Sequence, residues 1–154
     1  METLGTLVDK LTIVKLKEYH TIDKWTLTEL RLQSRRLSEE IDKYIDDAFI
    51  GFTLTENMVI PSTKIYNKEG NEFPEISGDI GSVISELAIV NCKVWHQQEK
   101  VYEFEKVLPK EKDGIIKQLA ILNLQRTQCI DFIDKQFQKI IISQKVIQSW
   151  SNKK

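Results

Sequence analysis

The sequence is poor in the residues that mark secreted or irregular chains. Among 154 residues it has two cysteines, three prolines and six glycines. Cys92 and Cys129 lie within apolar segments and show no Cys-x-x-Cys spacing, so no disulfide is required. A reducing, cytoplasmic location is therefore the expectation from cysteine usage.

An excess of either charge is also missing. The chain has 22 Lys and Arg against 23 Asp and Glu, a formal net charge of −1, so no overall field attracts nucleic acid or an anionic membrane. No stretch approaches the roughly 18 uncharged apolar residues of a spanning helix, and the first residues lack the basic and apolar regions of a signal peptide. We expect a soluble protein, with neither nucleic acid nor membrane as a partner, that forms a single domain over 1–154.

What the sequence does contain is helical periodicity. Apolar residues recurring every three or four positions predict helices over 3–22, over 26–48, from 79 or 80 to Pro109, and from 111 to 150. Thr26 and Glu29 match a capping box at the start of the second helix, and Pro109 is expected to end the third. The fourth helix is long for a globular domain, which predicts packing of its last turns against a second subunit in a homodimer or larger homo-oligomer.

The stretch 50–79 breaks this pattern and holds five of the nine glycines and prolines. They interrupt two segments that favour β-structure, Met58-Val59-Ile60 and Lys64-Ile65-Tyr66. We expect an irregular connector that carries a short β-hairpin, and such a long connector serves either as a lid or binding loop or as a passive link.

The chain also repeats itself. Shifting it by 76 positions aligns 5–20 with 81–96, and six of the sixteen columns are identical, including Gly5 with Gly81 and His20 with His96. Two hairpins that cannot bury an apolar stripe alone would pack face to face. The sequence therefore predicts an all-α, pseudo-two-fold four-helix bundle of two repeated helical hairpins, with repeat one at 3–49, the connector at 50–79, repeat two at 80–137 and a C-terminal extension at 138–150.

The repeat places both histidines of the chain at equivalent positions, each three residues before a carboxylate. His20 precedes Asp23, and His96 precedes Glu99. Residues three apart share one face of a helix, so each imidazole and its carboxylate can converge on one spot. We predict that the two pairs meet in a cleft between the hairpins.

Polar residues of the fourth helix supply partners for the second pair. Adjoining turns carry Asn123, Arg126 or Thr127, Ile130 and Asp134, which predicts a polar strip facing His96 and Glu99. One of the arginines at positions 31, 35 and 36 is expected to take the corresponding part in the first half.

Three further residues extend this set. Asn91 lies in an apolar stretch and needs hydrogen-bond partners if buried, either as a structural group or as part of a pocket. Trp95 and Tyr19 either stack on a planar ligand or anchor the hydrophobic core. The candidate ligand-binding residues are His96, Glu99, Asn91, Trp95, Asn123, Arg126, His20, Asp23, Tyr19 and Arg36.

Two other interpretations of the histidine pairs stay open. Each pair can simply bond its neighbours and fix the register between hairpins. A metal site is disfavoured, because His-x-x-Glu inverts the Glu-x-x-His order of di-iron bundles, and we expect no metal and no cofactor. The sequence has no Gly-rich phosphate loop, Gly-x-Ser-x-Gly elbow or His-Glu-x-x-His motif, so no catalytic residue is assigned.

A family resemblance rests on two blocks of the second half. Asn91-x-x-x-Trp95-His96-x-x-Glu99 is followed by Asn123-x-Gln125-Arg126 and an Ile-x-x-Ile-Asp segment. In this order, over about residues 80–137, they resemble the bacterial domain of unknown function 4254 family, and a related pattern occurs in the opening segment. The resemblance implies a helical fold, an association with cell-surface polysaccharide assembly, and a pocket at the quoted residues.

Three hypotheses of function follow. Imidazole, guanidinium, amide and indole groups together favour binding of a small anionic molecule, namely a nucleotide, a nucleotide-sugar or another phosphorylated metabolite. A non-catalytic binder of this kind would act as a sponge that sequesters a nucleotide signal, which would suit a virus-borne gene. The alternatives are an enzyme of cell-surface polysaccharide metabolism that uses a His–carboxylate pair, and a protein–protein scaffold.

Overall fold

A computed structural model describes residues 1–60 and 76–153, and this part of the chain is all-α. Its long helices are α1 (Leu4–His20), α2 (Lys24–Phe49), α3 (Ile80–Tyr102) and α4 (Pro109–Ser151). Short 3-10 turns lie at Thr55–Asn57 and Phe104–Lys106. The predicted all-α bundle is thus confirmed.

The start of α2 differs from the prediction. The helix begins at Lys24, and its N-cap is Asp23, whose carboxylate accepts hydrogen bonds from the Thr26 backbone N–H at 2.8 Å and the Thr26 hydroxyl at 2.7 Å. The predicted capping box of Thr26 and Glu29 is therefore wrong. The Asp23 carboxylate, three residues earlier, accepts the free Thr26 N–H and is stabilised by the positive end of the helix dipole.

Pro109 begins α4, whereas the prediction had it ending α3. Proline suits the first position of a helix, because its missing N–H would have no intrahelical partner there and its φ angle is already helical. α3 ends earlier, at Tyr102, and the 3-10 turn at Phe104–Lys106 links the two helices.

The described part of the connector docks on the core. Met58 is 1% exposed and packs within the main apolar cluster, and the Gln138 side-chain amide donates to the Thr55 carbonyl at 3.0 Å. Residues 58–60 are not assigned to a strand, and the predicted β-hairpin stays a prediction. The other half, at 64–66, lies outside the described residues.

α1 occupies the centre of the bundle and packs against each of the other long helices. The main core joins all four helices, and a second apolar cluster lies between α1 and α2. By contrast, α2 and α3 hardly touch, although a strict two-fold relation would pair them as it pairs α1 with α4. The pseudo-two-fold repeat therefore stays a prediction.

The last turns of α4 extend beyond the core. Ile140, Val146, Ile147 and Trp150 are exposed there, and the predicted contact with a second subunit stays a prediction. None of the helices formed by residues 1–60 and 76–153 combines the length and hydropathy needed to cross a membrane.

Candidate functional site

A buried polar network connects three helices at the centre of the bundle. Asp9 of α1 is 5% exposed and Asn91 of α3 is 4% exposed. The Asn91 side-chain amide donates to Asp9 Oδ1 at 2.9 Å and to the Thr12 hydroxyl at 2.8 Å. From α4, Arg126 donates to both Asp9 oxygens, through Nε at 2.9 Å and Nη2 at 2.6 Å.

This geometry stabilises the Asp9 carboxylate, whose charge would otherwise be costly to bury. Two parallel N–H···O bonds between a guanidinium and a carboxylate are strong and orient both groups. The hydrogen bonds to Asp9 raise the pKa of Arg126 above its ordinary value, against a smaller opposite effect of burial. The ion pair and the Asn91 amide together fix the register of α1, α3 and α4.

Arg126 was predicted to bind a ligand, but its charge is already paired with Asp9. The remaining guanidinium nitrogen, Nη1, makes no hydrogen bond to the described residues and is the part available to a ligand. The need of Asn91 for partners, which the sequence predicted, is met by Asp9 and Thr12.

A cavity of about 420 Å³ lies directly beside this network, between α1 and α3. Asn91 and Arg126 form its polar base, and Trp95 and Tyr102 supply aromatic walls. α1 adds apolar side chains and one cation, Lys17. The volume lies within the range of small-molecule sites, and apolar walls with a few convergent polar groups are typical of them.

The Trp95 indole is held on two sides. Its Nε1 donates to Glu99 Oε1 at 2.9 Å, and the His20 imidazole stacks on it with ring centroids 4.8 Å apart and planes 21° from parallel. His20 is itself fixed by a 2.8 Å hydrogen bond between Nδ1 and the Leu16 carbonyl. The indole is thereby oriented before any ligand arrives, which lowers the entropy lost on binding.

The two histidines do approach each other, as the repeat predicts. Their ring centroids are 6.5 Å apart, and His96 Nδ1 lies 3.6 Å from Glu99 Oε2. Both rings are exposed, however, and neither lines the cavity. The two imidazoles meet at the edge of the site without Asp23, and the cavity itself is built around Trp95.

Four other predicted site residues lie away from this cavity. Tyr19 is 86% exposed, and its ring lies edge-on to the His20 imidazole. Asp23 caps α2. Arg36 lines a second cavity between α1 and α2, and Asn123 lines a shallower hollow along α4.

Asp134 is not part of a strip facing His96 and Glu99, as the sequence predicted. It lies at the opposite end of the bundle, where its Oδ1 accepts the Gly5 backbone N–H at 2.7 Å. Burial raises the pKa of Asp134 to about 6, although the Gly5 hydrogen bond lowers it. Asp134 thus attaches the start of α1 to α4.

Sequence reasoning missed two site residues, Asp9 and Lys17. Asp9 follows Leu7 and Val8 on the inward face of α1, and a lone carboxylate within an apolar stripe was the available signal. Lys17 was missed because nothing in the sequence says that it borders a cavity.

Within 1–60 and 76–153, no three His, Cys, Asp or Glu side chains are grouped so as to hold a metal ion. Comparison with models of known families, with curated proteins and with solved structures found no match for this chain. The resemblance to the domain of unknown function 4254 family therefore stays a prediction, as do the enzyme and scaffold hypotheses.

Proposed function

We propose that this protein binds a small, planar, anionic molecule of the nucleotide class in the cavity between α1 and α3. The observation that carries the proposal is the pre-oriented Trp95 indole in the wall of a 420 Å³ cavity. An aromatic face offers a stacking surface to a planar ring such as a nucleobase, whatever its hydrogen-bonding edge.

The charges around the cavity support an anionic ligand. The Lys17 ammonium forms no ion pair with the residues that the structure describes, so its charge is free for a phosphate. Arg126 Nη1, which is not bonded to Asp9, adds a donor at the base. Among the described residues, Glu99 is the one carboxylate that lines the cavity, and its Oε1 accepts the Trp95 indole N–H.

The test is a titration that follows the fluorescence of Trp95 alone. Trp25 and Trp150 are strongly exposed and lie outside the cavity, so a Trp25→Phe/Trp150→Phe background makes Trp95 the sole indole reporter. Nucleoside monophosphates and sugar nucleotides should quench its fluorescence and give heat by calorimetry. Ribose 5-phosphate, which lacks the planar ring, should bind far more weakly.

A charge-neutral variant locates the phosphate. Lys17→Gln should weaken binding by roughly 10-fold or more, because a hydrogen bond to a charged group contributes about 1.5–3 kcal/mol. The matched control is Lys15→Gln, since Lys15 pairs with Glu18 on the surface of the same helix. Absence of quenching and of heat with every nucleotide at millimolar concentration would refute the proposal.

A further inference from the structure

A second cavity adjoins the Trp95 cavity on the other side of α1. It also has a volume of about 420 Å³, and it lies between α1 and α2. Ile13 and Lys17 line both cavities. These residues are one helical turn apart, so they form a ridge on α1 with one cavity on each side.

The boundary between the two cavities is open to solvent. Lys17 is exposed there and Ile13 is half-buried, so no helix of the described chain covers Lys17. The side chain of Lys17 therefore stands between two neighbouring cavities. A ligand longer than a nucleoside monophosphate could pass over it without displacing a helix.

The second cavity differs chemically from the first. It contains three cations, Lys10, Lys17 and Arg36, against one carboxylate, Glu40, and it has no aromatic wall. Lys10 is paired with Glu2, whereas Arg36 has no ion pair with residues 1–60 or 76–153. Such a surface suits phosphate groups and offers no stacking face for a base.

We infer that the two cavities form one extended site for a nucleoside di- or triphosphate. This inference rests on the proposed function, in which the base stacks on Trp95. The outer phosphates then lie over Lys17 and reach Arg36, whose planar guanidinium can bind a phosphate through two hydrogen bonds.

The experiment compares one nucleoside with its mono-, di- and triphosphate by calorimetry and by Trp95 fluorescence. Affinity should rise by about 10-fold from the monophosphate to the triphosphate, as expected for one further charge-assisted contact. Arg36→Gln should remove that gain and leave monophosphate binding unchanged. Arg35→Gln is the matched control, because Arg35 is its exposed neighbour on α2 and lines neither cavity.

Each outcome separates the inference from the proposed function. Equal affinity for mono- and triphosphate, with Trp95 quenched by both, overturns the extended site and leaves the proposed function standing. Equal losses in Arg36→Gln and Arg35→Gln show general charge attraction and also overturn it. Quenching by none of the four compounds refutes the proposed function, and the extended site with it.

Discussion

Replacing Gly5 by alanine should destabilise the fold far more than the same change at Gly81. Both glycines are the second residue of their helix, and the repeat aligns them. A Cβ built on Gly5 would lie 2.5 Å from the Ile130 carbonyl oxygen and 2.9 Å from Asp134 Oδ1. A Cβ on Gly81 meets nothing within 4 Å among the described residues.

The size of the effect follows from these distances. A relaxed C···O contact is about 3.3 Å, so α1 and α4 would have to separate by about 0.8 Å, which stretches the 2.7 Å bond from Gly5 to Asp134 to its limit. Overpacking costs about 1–3 kcal/mol, and loss of the hydrogen bond to the charged Asp134 carboxylate costs about 1.5–3 kcal/mol. The higher helix propensity of alanine offsets about 1 kcal/mol of this. The net loss in the free energy of unfolding is about 1.5–5 kcal/mol.

Urea denaturation followed by circular dichroism measures this difference. Gly5→Ala should lower the midpoint strongly, and its thermal midpoint should fall by roughly 5–15 °C. Gly81→Ala should be neutral or stabilise by up to about 1 kcal/mol. If the two variants unfold at the same urea concentration, α1 and α4 are not in close contact at Gly5, which contradicts the prediction.

Three more predictions concern the buried polar groups. Because burial raises the pKa of Asp134 to about 6, its ionisation should cost up to about 3 kcal/mol of stability as pH rises from 4 to 7, and Asp134→Asn should flatten that profile in urea titrations. Arg126→Ala should lower the free energy of unfolding by about 2–4 kcal/mol, because it leaves the Asp9 carboxylate buried and unpaired, whereas adding Asp9→Ala should recover part of the loss. Burial raises the pKa of Cys129 to about 11, so a disulfide-exchange reagent at pH 8 should label Cys92 before unfolding and Cys129 only after it.

Each of these has an outcome that contradicts it. An unchanged pH profile in Asp134→Asn would mean that another group titrates over that range. Additive losses in the Asp9 and Arg126 variants would mean that the two side chains are not coupled. Two thiols reacting rapidly in the native protein would show that Cys129 is accessible to solvent.

Helix periodicity predicted the fold well, since local patterns of apolar residues decide which faces become buried. The errors lie at the helix ends. Asp23 competes with Thr26 as the N-cap, and the sequence alone does not decide between two adequate caps. A proline is suited both to ending one helix and to beginning the next. The role of Pro109 therefore depended on where α3 ends, which is at Tyr102.

The site was only partly predictable, because it depends on contacts between distant segments. Asn91 and Trp95 stood out as polar or aromatic residues within an apolar stretch, and both line the cavity. Asp9 is 117 residues from Arg126 and 82 from Asn91, and no local pattern brings them together. The carboxylate after His20 was misplaced because position 23 lies past the end of α1.

The differences between the two aligned segments, 5–20 and 81–96, explain the site better than their likeness does. Asp9 aligns with Ser85, and Asn91 aligns with Lys15, so each segment supplies a residue of the network that the other lacks. Gly5 lets α4 approach α1 closely, and the exposed Gly81 marks the place where no helix makes the equivalent approach to α3. That approach is not repeated, since α2 and α3 hardly touch. Lys17, on the ridge between the two cavities, is exposed, so this side of α1 stays open to a ligand.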